Sequence, residues 1–284
     1  MYASKGQWKS AKHLDMLDDY LRRLVIRDIK RLMVIMPPRH GKSLFISQYL
    51  PSWYLGNFKD ERIILASYEA DLAASFGRKV RDVIKDVGKD VFGITLKEDS
   101  QAANRWDIEG AVGGMNTAGI GGPITGKGAN LLIIDDPVKN AVEANSKTYR
   151  DRAWEWFTST AYTRLEPNGV IVLIMTRWHE DDLAGRILSD KVERQKWTVL
   201  KLPAIAEEND PLGRSIGEAL WRERYDEEKL NEIQKTIGLY WFSSLYQGTP
   251  TPAEGKIFKR SLFRYYEEDE NYYILKTDTI SKRV

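Results

Sequence analysis

Residues 31–49 read RLMVIMPPRHGKSLFISQY, and the order of apolar run, turn and second apolar run decides the fold. Leu32 to Met36 is an unbroken apolar stretch of the kind buried on both faces of a parallel sheet, so it predicts a strand. Pro37-Pro38-Arg39-His40-Gly41 breaks that strand and predicts a loop. Lys42 and Ser43 then open a helix that carries Leu44, Phe45 and Ile46 into the core. Gly41-Lys42-Ser43 is the tail of a Walker A loop, G-x-x-x-x-G-K-[ST], whose backbone N–H groups and helix N-terminus converge on phosphate. That pattern puts Lys42 on the β- and γ-phosphates of ATP and the Ser43 hydroxyl on Mg²⁺. The first glycine is replaced by Met36, and Pro37 and Pro38 have no N–H. The cradle therefore falls to the amides of Arg39, His40, Gly41, Lys42 and Ser43, with Leu44 next in the helix.

A second signal lies a hundred residues on. Leu131-Leu132-Ile133-Ile134-Asp135-Asp136-Pro137 is an aliphatic strand ending in two acids, the Walker B arrangement. It delivers Asp135 to the Mg²⁺ held by Ser43. Val170 to Met175 is another fully apolar strand, and it ends on the polar Thr176, placed to sense the γ-phosphate. With residues 62–66 and 197–202, five strands alternate with helical patterns. This predicts a mainly parallel α/β sheet with its ligand sites at the carboxyl ends of the strands.

Between these strands, leucines at helical spacing predict a helix from Lys12 to Lys30, and a second runs from Glu69 to Lys85. Short strands are expected between Trp106 and Thr117, with Gly113-Gly114 as a hairpin signal. Five glycines between 119 and 128 predict a flexible loop carrying Lys127. Residues 145–165 read as a helix whose Trp154, Trp156, Phe157 and Tyr162 pack in the core, followed by a Pro167-Asn168-Gly169 turn. Composition shifts near Pro203. A helix over 225–237 capped by Asp226 follows, then a short apolar helix over 240–246 and a linker at Pro250 and Pro252.

The 284 residues carry a formal net charge of +2, so composition does not announce a nucleic-acid partner. There are no cysteines, which excludes disulfides and thiolate metal sites, and only three histidines, far apart in sequence. No apolar run is long enough to span a membrane, and the N-terminus lacks a signal-peptide centre. The expectation is a soluble intracellular protein.

Four stretches in this order, MPPRHGKS, GGPITGKGANLLIIDDP, the segment from Glu143 through YRDRAWEWFTSTAYTRLEPNG, and TRWHEDDLAGRI, resemble the large terminase of tailed bacteriophages over most of residues 10–200. The resemblance implies an additional-strand P-loop ATPase domain over 1–205, a helical linker subdomain over 206–250, and at 251–284 the lead-in to a nuclease domain missing from this chain. It implies a motor driving double-stranded DNA into a procapsid, in a homo-oligomeric ring on the portal protein. A small terminase subunit would be its partner and the host cell cytoplasm its location. Lys42 and Ser43 then bind phosphate and Mg²⁺, Asp135 is the Walker B acid, Arg39 is the family's phosphate-loop arginine, and Thr176 belongs to the coupling motif. The attacking water needs an acid; Glu143 is the candidate and Asp136 the rival. Lys127 stands where many relatives carry an arginine on the γ-phosphate. Arg105 is a candidate finger acting on a neighbouring subunit, and Gln7 a candidate adenine reader. No intrinsic DNA cleavage is expected. A helicase-like ATPase of another family, a P-loop small-molecule kinase and a portal-docking role with ATP as a switch are the alternatives, separable by unwinding, by phosphate transfer to a metabolite and by nucleotide retention without turnover.

Overall fold

The structure, a computed structural model, describes residues 4, 6 and 8–251 and the strands at 266–269, 272–276 and 281–283. Eight strands form one sheet: β1 (Arg31–Ile35), β2 (Arg62–Ser67), β3 (Leu96–Ala102), β4 (Arg105–Ile108), β5 (Gly114–Gly119), β6 (Ala129–Asp135), β7 (Leu165–Met175) and β8 (Thr198–Lys201). Their order is β3-β4-β5-β2-β6-β7-β1-β8. All neighbours are parallel except the antiparallel pairs at the β3–β4–β5 edge. β7 therefore lies between β1, which leads into the phosphate loop, and β6, which ends in Asp135.

Alternation along the strands feeds two cores, one on each face. Leu32, Val34, Leu131, Ile133, Val172 and Ile174 point to a layer made by α1 (Lys12–Val25), the helix after the phosphate loop and α3 (Ala70–Val83). That second helix is π-helical over Leu44–Tyr49 and then runs on as α2 (Leu50–Asn57). Met33, Ile35, Leu132, Ile134, Ile171 and Leu173 face Trp156, Phe157, Leu183 and Ile187 on the other side. Trp156 and Phe157 are core residues, as expected from their spacing, whereas Trp154 is only partly buried and Tyr162 is exposed.

Several boundaries differ from the sequence reading. The first helix stops at Val25, not Lys30, because Arg27 turns left-handed at φ 68° and the N–H of Ile29 bonds back to Arg23 O at 3.1 Å. To the five strands counted, β4 and β5 add the short strands expected over 106–117, and β3 is an eighth. The polar LKEDSQA run of β3 hides an edge strand whose side chains mostly face solvent. The helix expected over 145–165 starts at Lys147 as α6 (Lys147–Glu155) and runs on through a π-helical turn over Trp156–Ala161 and a 3₁₀ turn over Tyr162–Arg164; the extended Ser146 separates it from a short preceding helix, α5 (Ala141–Asn145). Pro167-Asn168-Gly169 is not a turn between elements. It lies inside β7, where Asn168 at φ 69° and a register shift against β6 make a bulge.

Beyond β8, α9 (Glu227–Trp241) is capped by the Asp226 carboxylate, which accepts from Lys229 N at 2.8 Å. It has its own small core of Ala204, Ala219, Leu230 and Phe242. The chain divides into a unit of residues 1–251 and one of 252–284. In the second, Tyr266–Asp269, Tyr272–Lys276 and Ser281–Arg283 form an antiparallel three-stranded sheet. No helix among the described residues is long and apolar enough to cross a membrane.

Candidate nucleotide site

The loop after β1 is built on two left-handed residues, Arg39 at φ 61° and Gly41 at φ 94°. Glycine suits the second position twice over: the dihedral is unstrained there, and an added Cβ would press on Leu14 Cδ2 at 3.1 Å. Gly41 O accepts the first helical hydrogen bond, from Phe45 N at 3.0 Å. Lys42 and Ser43 thus stand in the first turn of a helix, where free N–H groups and the helix dipole favour an anion.

Three strand ends meet in front of this turn. From β6, Asp135 is buried and accepts from Ser43 Oγ at 3.0 Å and from Ser47 Oγ at 2.5 Å. Burial, and then the neighbouring Asp136 charge, push its carboxyl up to about 6. From β7, the Thr176 hydroxyl accepts from Lys42 Nζ at 2.6 Å. Asp136 joins the two: Oδ1 accepts from Thr176 N at 2.6 Å and Oδ2 lies 3.4 Å from Lys42 Nζ. This carboxylate is aimed by a left-handed backbone at φ 44°. Backbone bonds to Ile174 O and from Tyr68 N hold that turn in place.

The donor set suits magnesium. A hydroxyl and one carboxylate, hard oxygens side by side, can hold the ion together with phosphate oxygens and water. Among the described residues no group of three or more histidines, cysteines or acids could hold a metal ion. The buried, charge-crowded Asp135 also gains from a cation beside it.

The other candidates make no contact with this cluster among the described residues. Glu143 sits in the first turn of α5, where its amide donates to Asn140 Oδ1 and its Oε2 accepts from Lys139 N, both at 3.1 Å. Its carboxylate is thus a helix cap. Lys127 lies two residues before β6, whose six steps from Ala129 to Asp135 span roughly 20 Å, so it stands at the opposite end of that strand from Asp135. Arg105 is exposed on β4, with β5, β2, β6 and β7 between it and β1, a span of about 24 Å. The structure brings neither to the loop of its own chain. Gln7 lies outside the described residues. Arg39 and Leu44 are exposed at the mouth of the loop and His40 is buried beneath it.

Sequence reasoning missed Ser47, although its i+4 spacing from Ser43 puts both hydroxyls on one helix face. It also missed a cavity of about 370 Å³ beside Gly41 and Leu44, lined by Trp8, Lys9, Leu14, Trp221, Glu223 and Arg224. Arg224 lies over the Trp221 ring at 5.3 Å. These residues come from distant segments, and no local pattern joins them.

A Lys-Ser helix start, an acid at the end of β6 and an additional strand between the two define a P-loop NTPase of the additional-strand class. The chain belongs to the family described as terminase large subunit, T4-like-virus type, N-terminal, whose model it matches over residues 33–265. Its fold is similar to that of the HK97 bacteriophage large terminase, at 14% identity and TM-score 0.53 over 84% of this chain and 51% of that one. It is similar to an ATPase-domain mutant of the Thermus phage P74-26 large terminase, at 13% identity and TM-score 0.53 over 78% of this chain and 90% of that one. It also resembles the large terminase of a further thermophilic bacteriophage, at 15% identity and TM-score 0.54 over 95% of this chain and 64% of that one. That last protein in complex with ADP matches at 14% identity and TM-score 0.50, covering 92% of this chain and 65% of that one. The chain thus spans about half of the HK97 protein and about two thirds of the one seen with ADP. No curated protein sequence matches it.

Proposed function

We propose that this chain hydrolyses ATP and so drives double-stranded DNA into a procapsid, as the motor part of a phage large terminase. The observation that carries the reading is the Lys42, Thr176 and Asp136 cluster beside the Ser43–Asp135 pair. These groups come from three adjacent strand ends and converge on a helix N-terminus built for phosphate.

The amides of residues 39–43 hold the phosphates, and Lys42 leaves Thr176 and Asp136 to pair with the β- and γ-oxygens. Ser43 and Asp135 hold Mg²⁺, which when bound neutralises charge developing on the phosphate oxygens. Asp136, freed of Lys42, orients the attacking water; it is favoured over Glu143 because it already faces the lysine, whereas the Glu143 carboxylate caps α5. The cavity between Trp8, Leu14 and Trp221 receives the base. Arg105, exposed on β4 beside the edge strand β3, serves a neighbouring subunit's ATP in a homo-oligomeric ring. Duplex DNA, the portal protein and a small terminase subunit are the proposed partners, in the host cytoplasm. The domain division at 205 and 250 remains part of this proposal.

The test is phosphate release by the purified chain, alone, with duplex DNA, and with DNA and empty procapsids. Slow release that rises with DNA and procapsids supports the motor. Duplex unwinding or phosphate transfer to a metabolite contradicts it.

A further inference from the structure

We propose that His13, in the first turn of α1, is a positioning residue that sets the direction of the phosphate-loop amides through His40. The inference rests on the nucleotide reading of that loop.

Both imidazoles are fully buried. His13 Nε2 lies 3.0 Å from the carbonyl oxygen of His40, and His40 Nδ1 lies 2.7 Å from the carbonyl oxygen of Pro38. A carbonyl only accepts, so each of these ring nitrogens carries the proton. The other nitrogens, His13 Nδ1 and His40 Nε2, have no hydrogen-bond partner among the described residues, so each ring is a neutral imidazole of one fixed tautomer. Burial favours the same state, holding the His40 imidazole down to about 4 and that of His13 below its ordinary value.

In a planar trans peptide the C=O of one residue and the N–H of the next point in opposite directions, and there is no cis peptide among the described residues. Fixing Pro38 O therefore fixes the N–H of Arg39, and fixing His40 O fixes the N–H of Gly41. Two of the five amides available to phosphate are aimed this way, in a loop whose prolines contribute none. The rings are held by packing: His40 stacks on Tyr225 with centroids 5.0 Å apart, and His13 lies 5.1 Å from Trp221. Leu14, the next residue of α1, supports Gly41. α1 thus acts as a brace under the loop, with His13 acting through the His40 carbonyl.

The test has two parts. In nucleotide-free protein carrying ¹⁵N-labelled histidine, long-range ¹H–¹⁵N spectra should show His13 protonated at Nε2 and His40 at Nδ1. A charged ring or the opposite tautomer at His13 overturns the proposal. Separately, ADP is titrated calorimetrically into wild type, His13→Phe, His13→Gln and Lys42→Ala. A lost hydrogen bond of ordinary strength predicts about five- to tenfold weaker ADP binding for His13→Phe. His13→Gln, whose side-chain N–H has a similar reach, should restore most of it. Wild-type affinity in His13→Phe overturns the proposal. So does failure of His13→Gln to bind better than His13→Phe. If His13→Phe does not fold, His13→Gln and the wild-type spectrum decide. Equal ADP binding by wild type and Lys42→Ala overturns the nucleotide reading itself, and with it any role of His13 there, whatever the tautomers are.

Discussion

Lys42 donates from its ammonium to the hydroxyl of Thr176 at 2.6 Å, tying the helix after β1 to the end of β7, the strand inserted between the two nucleotide motifs. Asp136 completes the tie from β6. A phosphate entering the loop competes for the same lysine with Thr176 and Asp136. Thr176→Val keeps the side chain's shape and removes the hydroxyl. It should change ATP affinity by less than about fivefold, the scale of one hydrogen bond. Hydrolysis should fall at least about tenfold, by loss of a positioned group. Calorimetry and phosphate release on the same preparation separate the two.

Asp136→Asn and Glu143→Gln make a paired test. The Asp136 variant should bind ATP yet hydrolyse it roughly 10²- to 10³-fold more slowly, the range for a positioned general base and its charge. Glu143→Gln keeps a cap acceptor and should hydrolyse within about threefold of wild type, since a cap is a local contribution to stability. The reverse ranking, measured by single-turnover hydrolysis, would return the role to Glu143.

Arg177 and Asp182 form a buried ion pair at 2.7 Å just after Thr176. Asp182 also accepts from Gly185 N at 2.9 Å and so starts α7 (Leu183–Ser189). Asp182→Asn can keep the cap but leaves Arg177 buried without its counter-charge. It should cost about 3–5 kcal/mol in denaturant unfolding, the usual scale for half of a buried pair.

His40 gives a pH dependence of defined sign. Its imidazole sits at about 4 when folded and near 6.5 when unfolded, because burial opposes the charge. The unfolded chain therefore binds the proton first, and stability is lost as pH falls from 6.5 toward 4. His40→Asn can still donate to Pro38 O but does not titrate. The stability of wild type relative to this variant should be smaller at pH 5 than at pH 8 by roughly 2 kcal/mol, read from urea unfolding.

The sheet was legible in the sequence wherever burial on both faces forces an unbroken aliphatic run, as in β1, β6 and β7. It was illegible in β3, whose polar residues face solvent, and in the bulge at Asn168, which carries the residues of a turn while remaining in its strand. The site divides in the same way. Lys42, Ser43, Asp135 and Thr176 follow from a strand end and a short motif. The Asp136 contact with Lys42 depends on a left-handed backbone that no pattern announces. His13, Trp8 and Trp221 reach the loop only through tertiary packing.

The most direct test is a crystal of the chain with a non-hydrolysable ATP analogue and Mn²⁺ in place of Mg²⁺. The anomalous peak of the metal should lie against Ser43 Oγ, on the side facing Asp135, with the triphosphate wrapped by residues 39–43 and Lys42 moved from Thr176 onto its oxygens. A metal and triphosphate bound away from Ser43 and Asp135, with Lys42 still on Thr176, would contradict the account.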